Sequence, residues 1–146
     1  MKINKKLGIW MDHASAHLME FTPDPITTKT ITSKFTPAVR ETIIRKGEDH
    51  LHRKEQQQQS DYYQQLREVI KEYSDVILFG PTDAKVELYN SLLADQQLKQ
   101  VTIKMEQTDK LTENQQHAFV KNYFYKALIS GRKPEFLKKN HKLSHS

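Results

Sequence analysis

The sequence predicts a single α/β domain built on a mixed five-stranded sheet. Three observations carry that expectation. Three strand-like segments follow one another at the N-terminal end, and helical and strand-like segments alternate after them. Within the alternation, Val76, Ile77, Leu78 and Phe79 form an unbroken apolar run that stops at Gly80-Pro81, the pattern of a strand covered on both faces. A length of 146 residues suits one domain with a modest core.

Residues 7–11 read as the first strand, Asp12, His13, Ala14 and Ser15 as a turn, and residues 16–21 as the return strand. Pro23 and Pro25 break that strand, and residues 26–35, rich in threonine and isoleucine, complete a meander. Residues 37–49 lack a period and contain Gly47, so they are read as a long connection. The first helix is expected to begin near Asp49, to run through a polar stretch at 51–60, and to project beyond the body. Its inner face is Tyr62, Tyr63, Leu66, Val69, Ile70 and Tyr73, at spacings of three and four. After the strand at 76–79, Thr82 or Asp83 is the expected N-cap of a second helix with Leu88, Tyr89, Leu92 and Leu93 inward. Residues 101–105 alternate as a fifth strand. Thr112 and Gln115 form a capping box for the last helix, which turns Val120, Phe124, Ala127 and Leu128 inward beside Phe119 and Tyr123. Gly131 and Pro134 end it. There is no internal repeat, and the glutamine run at 56–59 is too short to be low complexity. The expected organisation is a folded domain over 1–130 and a basic, flexible tail over 131–146.

Hydrophobic residues make up 36% of the chain and charged residues 28%, with no apolar run long enough to cross a membrane. The N-terminus has no apolar segment of the signal-peptide kind behind its lysines. The absence of cysteine excludes thiol chemistry and fits a reducing cytoplasm. The net charge of +5 is unevenly spread: residues 132–146 carry five cations (Arg132, Lys133, Lys138, Lys139 and Lys142) against Glu135. Two readings of this tail stand: an accessory contact with a polyanion such as RNA, or a solubilising terminus.

Seven histidines raise the question of a metal. His13 and His17 lie four apart across a turn, His50 and His52 point to different faces, and His117 reads as a helix-surface residue. No Cys/His framework or His-Glu-x-x-His motif exists, so no metal or other cofactor is expected. Asp12, at the end of the first strand of a mixed sheet, occupies a position where ribonuclease-H-like folds often carry a metal-binding carboxylate. Two-metal catalysis needs several carboxylates to converge, and Glu20, Asp75 and Asp109 show no spacing that brings them to Asp12. A turn-forming role accounts for Asp12 better. There is no Gly-x-Ser-x-Gly element and no Walker phosphate loop. The start of the second helix, with Lys85 one turn in, could receive a phosphate or carboxylate; the plain alternatives are an ordinary strand-to-helix turn whose lysine is solvated, or a lysine covering the Gly80-Pro81 turn with its stem. Arg45, Lys46, His50, His52, Arg53 and Lys54 gather basic groups around the start of the first helix, against the plain alternative of a solvated helix end.

The order strand, Asp-containing turn, strand, strand, long loop, polar helix, then Leu78-Phe79-Gly80-Pro81-x-x-x-Lys85, resembles the central domain of eukaryotic-type class 1 peptide release factors and of Pelota. More closely, it is similar to the stand-alone bacterial members of the release-factor-like superfamily. The phrases at 78–85 and 112–120 have close counterparts there, in proteins of the Bacteroidetes. The resemblance covers about residues 7 to 126 and implies a translational-machinery-component, ribonuclease-H-like fold. Release factors carry Gly-Gly-Gln in the loop before the long helix. The corresponding stretch here, Arg45 to His50, has Gly47 alone and no such tripeptide, so a peptidyl-tRNA hydrolase activity does not carry over. What the resemblance implies is the fold and a ribosome or tRNA partner. The expectation is a non-enzymatic, cytoplasmic binding protein of the translation apparatus. Its contacts would come from the basic loop and helix start, from the tail and, more weakly, from Lys85. A metal-dependent nuclease using Asp12 and a protein-interaction module without a nucleic-acid role are the competing classes.

Overall fold

The computed structural model of the chain describes residues 5–22, 28–33 and 48–132, with side chains except at 48–51 and 127–132. Strands β1 (Lys6–Met11), β2 (Ser15–Glu20) and β3 (Thr28–Thr32) are followed by helix α1 (Glu48–Ile70) and strand β4 (Asp75–Gly80). Helix α2 (Ala84–Leu93), a 3-10 turn (Gln96–Leu98), strand β5 (Thr102–Gln107) and helix α3 (Glu113–Arg132) complete the order. The sheet runs β3-β2-β1-β4-β5. β1 pairs parallel with β4 and β4 with β5, whereas both pairings of β2 are antiparallel, so β2 alone runs against the others. This is the mixed five-stranded α/β domain that the sequence predicts. Of the expected third strand at 26–35, residues 28–32 form β3, and 26–27 and 34–35 lie outside the described residues.

Both faces of the sheet are covered, which explains the unbroken apolar run in β4. Val76 and Leu78 join Leu7, Ile9 and Met11 of β1 under α1 and α2, packing against Tyr62, Leu66, Ile70, Leu88 and Leu92. Ile77 and Phe79 face the other way with Trp10 and Met19, under Val120 and Phe124 of α3. The period-two alternation thus divides one apolar run between two cores. Phe119 stacks on Phe79 with ring centroids 4.2 Å apart. Gly8 permits this close seating of α3, because a Cβ there would overlap the methyl groups of Val120.

Leu93 departs from the expected inner face of α2. It is 63% exposed, and the buried stripe is Ala84, Lys85, Leu88 and Leu92. At 100° per residue, Leu93 stands well off the direction that Leu88 and Leu92 share. The capping box of α3 forms as expected: the Thr112 N–H donates to Gln115 Oε1 at 2.9 Å, and the Gln115 N–H to Thr112 Oγ1 at 3.2 Å. Of its expected inner residues, Val120 and Phe124 are buried, and the side chains of Ala127 and Leu128 lie outside the described residues.

Candidate nucleic-acid interface

The parallel strands β1, β4 and β5 end together, and the turns leaving β1 and β4 there hold Asp12 and lead to Lys85. Helix α1 runs back along the sheet from this edge. Its position is fixed by Tyr62, whose hydroxyl donates to the Asp12 carbonyl at 3.0 Å, while Ile70 is buried in the same core below. His52 lies ten residues before Tyr62, about 15 Å further along the helix axis at 1.5 Å per residue. The start of α1 therefore extends past the sheet edge. His52 and Arg53 are exposed there and Lys54 is half-buried. Arg45, Lys46, Lys133, Lys138, Lys139 and Lys142 lie outside the described residues, as do the side chains of His50 and Arg132.

Lys85 stands apart from that surface. It is 3% exposed, and its ammonium donates to the Gly80 carbonyl at 3.0 Å, the Thr82 carbonyl at 2.6 Å and Gln107 Oε1 at 2.6 Å. Its three N–H groups are matched by three acceptors, so the ammonium closes the β4–α2 turn from inside and ties it to the end of β5. Burial holds its pKa below the ordinary lysine value, with the nearby Asp83 charge working in the opposite direction. The sequence offered a phosphate ligand, a solvated lysine or a stem lying over the turn. The solvated reading fails because the side chain is buried against three acceptors, and the arrangement is nearer the covering stem, with the ammonium engaged as well. Asp83 occupies the N-cap position of α2 without a side-chain cap bond, and Thr82 Oγ1 accepts the Ala84 N–H at 3.3 Å instead.

Asp12 forms its turn. Its Oδ1 accepts the N–H groups of Ala14 and Ser15, both at 2.8 Å. Glu20 and Asp75 stand opposite Leu7 and Lys6, at the far end of β1 from Asp12. Among the described residues, no group of three or more His, Cys, Asp or Glu side chains is arranged to hold a metal ion.

Two contacts of this edge and two of the α3 face were not legible in the sequence. Glu87 of α2 accepts from the Tyr63 hydroxyl at 2.7 Å and meets His13 Nε2 at 3.1 Å, which links α1, α2 and the β1–β2 turn. Burial pushes the Glu87 carboxyl up, but the Tyr63 hydrogen bond with the His13 bond and charge outweigh it and hold the pKa below the ordinary value. On the other face, His17 Nδ1 lies 2.8 Å from Gln116 Oε1, and His117 Nε2 lies 2.6 Å from Thr28 Oγ1. These pairs fasten α3 to β2 and β3. His117, read from the sequence as a surface residue, is one of the fastenings. Partners separated by 74 to 99 positions leave no local spacing to find them by.

No family model and no curated protein matches the chain. Solved structures do. The Pelota protein of Thermoplasma acidophilum matches over 77% of this chain and 30% of its own, at 18% identity and a TM-score of 0.50. The Pelota of Archaeoglobus fulgidus matches over 94% of this chain and 38% of its own, at 6% identity and a TM-score of 0.56. An archaeal translation termination factor, aRF1, matches over 90% of this chain and 42% of its own, at 14% identity and a TM-score of 0.49. The chain spans about a third of the length of the two Pelota proteins. Its fold is that of a Pelota-like domain, as the sequence resemblance implied. Among the described residues, no helix is long and apolar enough to cross a membrane.

Proposed function

We propose that this chain is a non-catalytic, translation-associated protein that works in the cytoplasm and contacts the ribosome or tRNA through the start of α1 and the basic tail. The observation that carries this reading is the Pelota-like fold, reached from the arrangement of the backbone at identities of 18% and 6%. It agrees with a sequence resemblance that rests on particular residues, Gly80-Pro81-x-x-x-Lys85 among them. The exposure of His52 and Arg53 beyond the sheet edge supports the choice of surface. Exposed cations at a helix start can approach phosphates with little desolvation of neighbouring groups. Lys85 has no part in this surface, because its ammonium is spent on three internal acceptors.

The test is sucrose-gradient co-sedimentation of the full chain with ribosomes in a lysate, repeated over a salt series. The expected result is sedimentation with ribosomal particles that weakens steeply with salt. Replacing Arg45, Lys46, Arg53 and Lys54 together by alanine is expected to weaken binding and flatten the salt slope, with the melting temperature nearly unchanged. Full binding by that folded variant at physiological salt would remove α1 from the interface. A wild-type chain that stays at the top of every gradient and binds no tRNA would leave a protein-interaction module. Metal-dependent RNA cleavage that is lost on Asp12→Asn would establish the nuclease instead.

A further inference from the structure

Strand β5 ends the sheet order, so one of its edges faces away from β4. The Thr102 N–H donates to the Ser74 carbonyl at 2.8 Å and the Thr108 N–H to the Gly80 carbonyl at 3.2 Å. The even-numbered residues therefore turn their backbone groups toward β4. By alternation, Ile103, Met105 and Gln107 direct their N–H and C=O groups outward. All of β5 except Ile103 is exposed along this edge. Beside it runs an apolar strip on α2, Val86, Tyr89 and Leu93, with Val86 and Met105 each 39% and Leu93 63% exposed. Tyr89, Leu92, Leu93, Leu98, Val101 and Ile103, together with Asp95 and Lys99, line a groove beside this strip. Proteins usually blunt such an edge with charge, proline or a bulge. β5 carries two charges of opposite sign two residues apart, Lys104 and Glu106, and no proline.

We propose that β5 is a self-pairing edge, at which two copies of this chain join antiparallel and merge their sheets. The argument is one of register. A two-fold pairing centred on Met105 sets Met105 against Met105, and Ile103 against Gln107 of the second copy. These are the residues whose backbone groups point outward, so the new ladder uses donors and acceptors already in position. The same register sets Lys104 of each copy against Glu106 of the other, at the closely spaced positions where side chains meet. Shifting the centre by one residue opposes Lys104 to Lys104 or Glu106 to Glu106, with like charges in contact. Backbone direction allows this register, and charge favours it over its immediate neighbours. On the opposite face of the strand, Met105 and Ile103 extend the apolar strip of α2 toward its copy.

Sedimentation velocity on the full chain over a concentration series tests this. The wild type is expected to show a monomer–dimer equilibrium. Lys104→Glu and Glu106→Lys should each weaken it by about tenfold or more, since each turns two attractive cross-strand pairs into repulsive ones. Mixing the two single variants should restore association as a heterodimer, and the double exchange K104E/E106K should pair with itself like the wild type. Met105→Pro removes an outward N–H that the β4 ladder does not use and should abolish pairing, with the far-UV circular dichroism of the monomer retained. A wild type that stays monomeric throughout the series would overturn the proposal. So would a dimer indifferent to charge reversal, or single variants that fail to associate when mixed.

Discussion

Replacing Lys85 by methionine isolates what a buried ammonium contributes to the strand-to-helix turn. Methionine keeps an unbranched stem of similar length, so the packing around the stem survives and the three hydrogen bonds are lost. Their acceptors are not affected equally. The Gly80 carbonyl still accepts the Thr108 N–H at 3.2 Å, and Gln107 is exposed enough to bond water. The Thr82 carbonyl is half-buried and loses a 2.6 Å bond. One unrecovered bond to a charged group costs about 1.5–3 kcal/mol, and relief of the buried charge offsets part of the rest. The expected destabilisation is about 2 kcal/mol, or a fall of about 4–8 °C in Tm for a chain of this size. Alanine also removes three methylenes at about 0.8 kcal/mol each, bringing its cost to about 4 kcal/mol. Urea unfolding followed by far-UV circular dichroism measures both. The pKa supplies an independent sign. Because burial lowers it, the folded chain holds the proton less tightly than the unfolded chain in the window below the ordinary value of 10.5. Wild-type stability therefore gains with rising pH in that window, and the methionine variant lacks the gain. Equal urea midpoints for wild type and K85M would refute the latch. Loss of RNA binding by a fully stable K85M would make the lysine a ligand residue instead.

Other outcomes follow from the same contacts. Gly8→Ala should destabilise by about 1–3 kcal/mol, because its Cβ overlaps Val120 and α3 must lift; a double-mutant cycle with Val120→Ala should show favourable coupling in the same urea assay. Thr112→Ala should cost about 1 kcal/mol by removing the hydroxyl acceptor of the capping box, and a smaller loss in thermal unfolding would mean that the helix start is held by packing alone. Tyr63→Phe removes one of the bonds that lower the Glu87 pKa. The wild-type advantage over this variant should be complete above the ordinary carboxylate range and fade as pH falls through the lowered pKa, because the folded chain then takes up the proton it had resisted. A gap that stays constant from neutral to acidic pH would show that the Tyr63 hydroxyl does not stabilise the ionised carboxylate.

What the sequence made legible is what local periodicity can encode. The β4 run, the α1 face through Tyr62, Leu66 and Ile70, and the Thr112–Gln115 capping box depend on residues within a few positions of one another, and each is found as read. Leu93 failed because adjacent leucines in a helix share no face, and apolar character outweighed angle in the reading. The Glu87 cluster and the His17–Gln116 and Thr28–His117 fastenings were hidden for a different reason. They join side chains brought together only by the sheet order, and a single sequence does not state which strand lies beside which. Lys85 lies between these cases. Its turn was legible, but the third acceptor, Gln107, arrives from β5, 22 residues away.

That third acceptor bears on how the resemblance to release factors and Pelota should be used. The element that carries it, Gly80-Pro81-x-x-x-Lys85, has a mechanical reason for each defining residue. Gly80 sits at φ +150°, in a region that other residues rarely adopt, and a Cβ there would collide with the Met11 carbonyl. Pro81 supplies no N–H to prolong the strand, and its carbonyl accepts from Gln107 Nε2 at 3.0 Å. Lys85 satisfies the carbonyls that the turn leaves inside. A sheet that ends β1, β4 and β5 together needs such a clasp whatever the protein binds. The motif therefore transmits architecture and is silent about chemistry, which is why a chain can keep it while lacking Gly-Gly-Gln. The proposed contacts lie elsewhere, at the start of α1, where His52 and Arg53 are exposed and belong to neither core. On that proposal, substitutions there are expected to change binding more than folding. It is this separation that makes the binding assays interpretable.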